Sequence, residues 1–88
     1  MKRSADFLLR QVAGSQVLVP VGAATKRFPG MIRMNATGCF LWELLDAAQT
    51  KESLAEALVS RYEVSAEQAA TDVEAFVEKL IPTGAILA

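Results

Sequence analysis

The chain contains no histidine, which removes the commonest general base and metal ligand of proteins. A metal site would therefore have to be built from Cys39 and carboxylates. Cys39 lies in the most apolar stretch of the sequence, where a buried thiol behaves as a small hydrophobic side chain with a raised pKa. We expect Cys39 to be structural, and we predict no metal-binding residue.

Other signatures of catalysis are also missing. The sequence has no Gly-rich phosphate loop, no nucleophile elbow and no cluster of ligands at metal-binding spacing. Its glycines at positions 22, 30 and 38 do not form a nucleotide-binding fingerprint. We therefore predict no catalytic residue, no cofactor, and a protein that is not an enzyme.

Disulfides and membrane spans are absent as well. A single cysteine allows no internal disulfide, which suits a reducing compartment. No apolar run approaches the roughly 20 residues needed to span a bilayer. The apolar residues after Lys2 and Arg3 are soon interrupted by Arg10, so the start does not resemble a signal peptide. These features indicate a cytoplasmic protein without a membrane partner.

The composition is that of a folded protein. The 88 residues are 52% hydrophobic and 22% charged, which is far from the composition of disordered chains. A chain of this length buries about 60–65% of its unfolded surface, enough for one modest core. We predict one domain over residues 1–88.

Charge is distributed unevenly along the chain. Residues 1–34 carry six basic side chains and one acidic one, for a net charge of +5. Residues 35–88 carry three basic and nine acidic side chains, for a net charge of −6. This asymmetry indicates either a binding face for an acidic partner or an accident of small size, and the sequence leaves both open.

The first third of the chain predicts three strands. Phe7–Val12 and residues 16–21 are rich in strand formers and are separated by the turn residues 13–15, which is typical of an antiparallel hairpin. Residues 22–30 form a loop, in which Phe28 is the one large apolar side chain. A short third strand follows over residues 31–34.

Three helices are predicted after the strands. Asn35, Thr50 and Ser65 each stand where a side-chain oxygen can cap a first turn. Ser65 and Gln68 also have the spacing of a reciprocal capping box. The first helix is apolar around most of its circumference and should end at residues 47–49, with Phe40 and Trp42 in the core.

The second and third helices each carry one apolar stripe. We expect the last helix to end near Ile81, because Pro82 cannot continue a helix, and Gly84 to turn the chain. Ile86 and Leu87 should fold back onto the core.

Several stretches follow one another in a characteristic order. They are Met34-Asn35-Ala36-Thr37-Gly38, then Phe40-Leu41-Trp42-Glu43-Leu44-Leu45-Asp46, then a Thr-led helix that ends in Arg61-Tyr62, then Asp72-Val73-Glu74-Ala75-Phe76-Val77, and finally Leu80 with Gly84. Together they resemble the PqqD-like family, whose namesake is pyrroloquinoline quinone synthesis protein D. The resemblance extends over almost the whole chain.

The resemblance implies an α+β domain of the winged helix-turn-helix type, in which a three-stranded antiparallel sheet is followed by three helices. It implies a non-catalytic recognition element that holds the leader of a ribosomally made precursor peptide. The domain then presents that peptide to a modifying enzyme, often a radical SAM protein, in the synthesis of pyrroloquinoline quinone or of another modified peptide.

In such domains the leader is added as a strand beside the third strand and lies against the last helix. Carried onto this sequence, the resemblance implies peptide-binding residues on the strand and on the helix. They are Gly30, Met31, Ile32, Arg33 and Met34 on the strand, and Ala70, Val73, Glu74 and Val77 on the helix. Arg33 could pair with an acidic residue of the leader.

Two other functions share this fold class. A DNA-binding regulator needs a basic recognition helix, whereas residues 65–80 carry four acidic side chains against Lys79. We therefore expect no nucleic-acid partner. A structural dimerisation module is the other alternative, since short strands with open edges allow a homodimer by strand pairing or swapping.

Overall fold

Two small antiparallel sheets and four helices make up the fold, which a computed structural model describes over residues 1–88. The elements are β1 (Lys2–Arg3), β2 (Phe7–Val12), β3 (Ser15–Pro20), α1 (Ala24–Arg27), β4 (Ile32–Met34), α2 (Ala36–Leu44), α3 (Lys51–Arg61), α4 (Ala66–Leu80), a 3-10 turn (Ile81–Thr83) and β5 (Ile86–Leu87). The three-stranded sheet runs β2-β3-β4, and β1 pairs with β5. The predicted α+β order is confirmed, whereas β1, β5 and α1 were not predicted.

The β2–β3 hairpin turns through two residues, Ala13 and Gly14, which both have positive φ angles of 51° and 82°. Two such residues make the turn whose twist matches that of the flanking strands. Glycine adopts this conformation freely, but an alanine held there costs about 1–2 kcal/mol. Ala13 is therefore a site of backbone strain.

Replacing Ala13 by asparagine should stabilise the protein, because asparagine tolerates the left-handed conformation better than other side chains and is favoured before glycine in this turn. We expect a gain of about 0.5–1 kcal/mol, or roughly 2–8 °C in melting temperature for a domain of this size. Thermal melts followed by circular dichroism measure it. Ala48→Asn, at an exposed position without positive φ, is the control and should leave the melting temperature unchanged.

The register of the sheet fixes which backbone groups of β4 are free. The two-residue turn makes Val12 and Ser15 a hydrogen-bonded pair, so Gln16 and Leu18 direct their backbone groups toward β4. Their partners there are Met34 and Ile32. Arg33, between those two partners, therefore directs its N–H and C=O away from β3. The β4 edge thus offers the backbone groups of Arg33.

The sheet has one covered and one open face. Side chains on the covered face meet the helices and are buried, as are Phe7, Leu18 and Ile32. On the open face Val17 stands directly between Arg10 and Arg33 in the register. Both arginines are exposed, yet Val17 is only 7% exposed, as expected if their aliphatic stems cover it.

The core lies between the covered face of the sheet and α2, α3 and α4. Its buried residues are Phe7, Leu18, Ala24, Ile32, Met34, Leu41, Trp42, Leu45, Leu54, Leu58, Ala69, Val73, Phe76, Val77, Leu80, Ala85 and Ile86. Trp42 is in the core as predicted. Phe40 is only half-buried and meets the Tyr62 ring edge-on, with ring centroids 5.8 Å apart.

Side-chain caps begin each of the three long helices. Asn35 Oδ1 accepts from the backbone N–H of Gly38 at 2.7 Å, and Thr50 and Ser65 act in the same way. The three predicted caps are therefore confirmed. The predicted capping box at Ser65 is wrong in its second half, because the Gln68 side chain donates to Asp72 Oδ1 instead.

The α2 helix ends at Leu44, three to five residues earlier than predicted, because the following segment binds the start of the chain. The backbone N–H of Gln49 donates to the Met1 carbonyl, and the Met1 ammonium donates to the Gln49 carbonyl at 2.7 Å. The backbone N–H of Arg3 donates to the Leu45 carbonyl. Pairing of β1 with β5 also holds the start of the chain against its last residues.

The loop between β3 and β4 contains the four-residue helix α1, with Thr25 Oγ1 donating to the Gly22 carbonyl. Phe28 packs against the core near Phe7, as predicted for its side chain, with ring centroids 6.3 Å apart.

None of the helices is both long and apolar enough to cross a membrane.

Candidate functional site

A groove lies at the end of β4, between the first half of α2 and one face of α4. It has a volume of about 240 Å³. Its apolar lining includes Met34, Leu41 and Phe76, all of which are buried in the core. The remaining lining residues are Asn35, Thr37, Gly38, Asp72, Ala75 and Lys79.

Gly38 leaves room for the close packing of Met34 and Asn35 beside the groove. A Cβ atom at this position would lie 3.1 Å from Asn35 Oδ1 and 3.2 Å from Met34 Cε, both tighter than an ordinary contact. The absence of a side chain therefore lets Met34 lie against the first turn of α2 while Asn35 caps that turn. Met34, Asn35, Thr37 and Gly38 thus form one wall of the groove.

Lys79 connects the two sides of the groove. Its Nζ donates to the Arg33 carbonyl at 2.9 Å, from the last turn of α4 to the middle of β4. This bond independently shows that the Arg33 backbone faces the free edge. Asp72 lies two turns earlier on the same face of α4 and accepts from Gln68 at 2.8 Å.

The structure places the predicted strand residues at this edge. Met31 is 60% exposed, and Arg33 is exposed on the open face of the sheet. Ile32 and Met34 are buried on the covered face, where Met34 reaches the groove. Gly30 is exposed just before the strand.

The four helix residues predicted for the site do not line this groove. Val73 and Val77 are buried in the core. Ala70 and Glu74 are exposed, and Glu74 pairs with Lys51 of α3 at 2.9 Å. That flank of α4 lies toward α3, whereas the flank toward β4 carries Asp72, Ala75, Phe76 and Lys79.

A signal for the missed residues is present in the sequence. Positions 72, 75, 76 and 79 have the spacing i, i+3, i+4, i+7 of one helix face. The core positions 69, 73, 76, 77 and 80 form a stronger apolar stripe that overlaps this face at Phe76. The two flanks are distinguished only by the contacts of α4 with α3 and by the bond from Lys79 to β4.

A larger depression of about 670 Å³ lies at the opposite edge of the sheet, beside β2. The Arg3 side chain bonds to two of its lining residues, donating to the Trp42 carbonyl at 3.4 Å and to Asp46 Oδ1 at 3.0 Å. Two of its charged side chains, Arg3 and Asp46, thus already pair with each other. Both β2 and β4 are outer strands of the sheet with outward backbone groups. We take the β4 groove as the candidate site because the predicted strand residues lie beside it.

Cys39 is half-buried on α2 and forms no disulfide. Burial, together with the negative charge of Glu43, raises the pKa of the Cys39 thiol above its ordinary value. The thiol therefore stays protonated at neutral pH and is a weak nucleophile, in agreement with the structural role predicted for it.

Residues 15–86 match the family described as Coenzyme PQQ synthesis protein D (PqqD), which is 72 of the 88 residues. The chain belongs to the PqqD family. The matched region begins with β3 and includes β4, α2 and α4, and therefore every residue of the groove. The groove is thus a feature of the PqqD-family part of the chain. No curated protein matches the chain.

Two solved structures share the fold along nearly the whole chain. One is described as "TbiB1 in Complex with the TbiA(beta) Leader Peptide", with a TM-score of 0.73, 20% identity, and coverage of 97% of this chain and 93% of that one. The other is described as "Lasso peptide synthetase B1 complexed with the leader peptide", with a TM-score of 0.74, 23% identity, and coverage of 99% and 96%. Both agree with the architecture that the PqqD family match indicates.

Proposed function

We propose that this chain is a non-catalytic peptide-binding protein that holds the leader of a ribosomally made precursor peptide as an added strand on β4. The observation that carries the proposal is the β4 edge, where the Arg33 backbone faces outward beside a groove that is part apolar and part polar. Membership of the PqqD family supports it, and so do the leader-peptide complexes of the two proteins with the same fold.

The shape of the site suits an extended peptide. An added strand gains affinity from backbone hydrogen bonds to the edge and specificity from pockets for alternate side chains. One set of peptide side chains would enter the groove over Met34 and Phe76. The other set would lie on the open face of the sheet beside Met31 and Arg33. The groove volume of about 240 Å³ is below the range of about 300–1,000 Å³ of small-molecule sites, and suits a few side chains.

We infer that the bound leader is presented to a separate modifying enzyme, which is the role that the PqqD family resemblance implies. A radical SAM protein is the enzyme class that the family resemblance implies. Pyrroloquinoline quinone synthesis is one pathway that fits, and other modified peptides fit equally. The strand residues Gly30 to Met34 and the helix residues Asp72, Ala75, Phe76 and Lys79 would form the peptide site.

The direct test uses peptides from short reading frames that neighbour the gene for this chain. Synthetic leaders from those frames are titrated into the protein by isothermal calorimetry, with a scrambled peptide of the same composition as the control. We expect at least one leader to bind with micromolar or tighter affinity and its scrambled form to bind far more weakly. Equal binding of leader and scrambled peptides would contradict leader recognition.

Filling the groove should block binding without unfolding the protein. Ala75 is exposed and lines the groove, so Ala75→Trp places a large side chain where the peptide would lie. We expect at least a tenfold loss of leader affinity, about 1.4 kcal/mol. Ala70→Trp is the matched control, since Ala70 is an exposed alanine of the same helix outside the groove.

Ala70→Trp should keep wild-type affinity, and both variants should keep the wild-type melting temperature within a few degrees. If Ala70→Trp lost affinity and Ala75→Trp did not, the peptide would lie along the α3 side of α4, as the family resemblance originally implied for Ala70 and Glu74.

A further inference from the structure

Lys79 is the only basic residue of α4, and its ammonium group is bound to a neutral acceptor. The three ion pairs of the protein join Arg3 to Asp46, Arg27 to Asp6 and Lys51 to Glu74. None of them includes Lys79. Its bond to the Arg33 carbonyl instead occupies the one acceptor in the middle of the free β4 edge.

A peptide strand added to β4 competes with this bond. An antiparallel or parallel partner must donate an N–H to an outward carbonyl of β4, and the Arg33 carbonyl is the central one. The Lys79 ammonium must then leave its acceptor or share it. In the absence of peptide, the same bond covers an outward carbonyl of the edge strand, and a covered edge resists pairing with other chains.

Once displaced, the Lys79 ammonium has no carboxylate of the groove within hydrogen-bonding distance. Asp72 shares the groove but lies seven residues earlier on α4, about 10 Å away along the helix axis at 1.5 Å per residue. Asp72 also already accepts from Gln68. With a peptide in place, Lys79 would be partly desolvated beside Met34 and Phe76, where an unpaired charge is costly.

We propose that Lys79 is a specificity-determining residue, which exchanges its bond to the Arg33 carbonyl for a carboxylate of the bound peptide. The ligands of this site are then extended peptides with Asp or Glu at the groove-facing position next to the residue that pairs with Arg33. The acidic side chains elsewhere on α4 (Glu67, Asp72, Glu74 and Glu78) disfavour a carboxylate at other positions along the helix. The inference rests on the proposed peptide-binding function.

A displayed library of randomised 12-residue peptides tests this proposal without a known leader. The library is selected in parallel on the wild-type protein, on Lys79→Met and on Lys51→Met. Lys51 is the control because it is an exposed lysine that pairs with Glu74 outside the groove. We expect Asp or Glu at one fixed position in the wild-type and Lys51→Met pools, enriched about tenfold over the Lys79→Met pool.

A double-mutant cycle then measures the pairing on one enriched peptide and on the same peptide with its acid changed to the amide. The amide peptide should bind wild type about tenfold more weakly than the acidic peptide, as expected for loss of a charge-assisted hydrogen bond. It should bind Lys79→Met more tightly than wild type, because the competing bond to the edge is gone. Lys79→Met should thus weaken binding of the acidic peptide but strengthen binding of the amide peptide. These opposite effects are not expected if Lys79 only supports the fold.

The outcomes separate the two proposals. If no peptide is enriched, or if the enriched peptides bind Ala75→Trp as well as wild type, the proposed function fails and the Lys79 inference fails with it. Suppose instead that the enriched peptides lose affinity for Ala75→Trp. If they have no fixed acidic position, or if the Lys79→Met pool has the same acidic position as the wild-type pool, only the role of Lys79 is wrong. Thermal melts of both lysine variants should match wild type, since both side chains are exposed.

Discussion

Replacing Arg33 by proline should weaken peptide binding about tenfold while the protein stays folded, because the lost N–H faces the free edge. One hydrogen bond contributes about 0.5–1.5 kcal/mol, or roughly two- to tenfold in affinity. The proline ring also obstructs the approach of a neighbouring strand. Edge strands tolerate proline where its nitrogen faces solvent. Calorimetric titration of the leader and a thermal melt of each variant measure the two effects.

Replacing Ile32 by proline should destabilise the fold rather than remove a bond to the peptide. The Ile32 N–H faces β3, where its loss leaves the Leu18 carbonyl without a donor at a cost of about 1–3 kcal/mol. Ile32 is also a core side chain, so the variant should be strongly destabilised.

Alanine variants separate side-chain effects from backbone effects. Arg33→Ala keeps the N–H and should bind better than Arg33→Pro, and Ile32→Ala should melt above Ile32→Pro. Met31→Pro provides a second outward position and should behave like Arg33→Pro. If every folded proline variant bound the leader like wild type, strand addition at the β4 edge would be wrong.

Replacing Trp42 by alanine should unfold the protein or nearly so. Trp42 is 2% exposed, and the Arg3 guanidinium lies over its ring with Cζ 5.9 Å from the ring centroid. Truncation of a buried aromatic side chain costs about 3–5 kcal/mol, a large part of the roughly 5–15 kcal/mol that stabilises a folded domain. Circular dichroism melts and urea titrations measure the loss.

Phe40→Ala is the informative comparison for Trp42→Ala. Phe40 is a neighbouring aromatic residue of α2, but it is only half-buried against Tyr62 and Arg61, so its truncation should cost clearly less. Trp42→Phe keeps a ring in the core and should recover part of the stability. A folded Trp42→Ala protein with an unchanged melting temperature that loses only peptide affinity would instead make Trp42 part of the binding surface.

Features set by neighbours in the sequence were predictable. The hairpin, its turn, and the caps at Asn35, Thr50 and Ser65 depend on residues no more than a few positions apart, and the structure has all of them. The apolar stripe of α4 likewise identified most of its buried face, although Ile81 at its end is exposed. Local propensity and periodicity were sufficient there because no distant contact opposed them.

Features that depend on distant contacts were not predictable in this way. The end of α2 is determined by bonds from Gln49 to Met1, which nothing in residues 45–50 signals. Val59 continues the apolar spacing of α3 but is 42% exposed, because the helix packs on a narrower face. The groove-facing flank of α4 depends on contacts with α3, such as the pair between Lys51 and Glu74.

The β1–β5 ribbon also determines where anything attached to this protein would be anchored. Lys2 pairs with Leu87 and Arg3 with Ile86, so the two ends of the described chain leave the surface side by side. A tag, a fluorophore or a fused enzyme therefore has nearly the same tether point at either end, although a fusion at the start replaces the Met1 ammonium that bonds to Gln49. Linker length, rather than the choice of terminus, is the variable that sets how often a tethered enzyme meets the bound peptide.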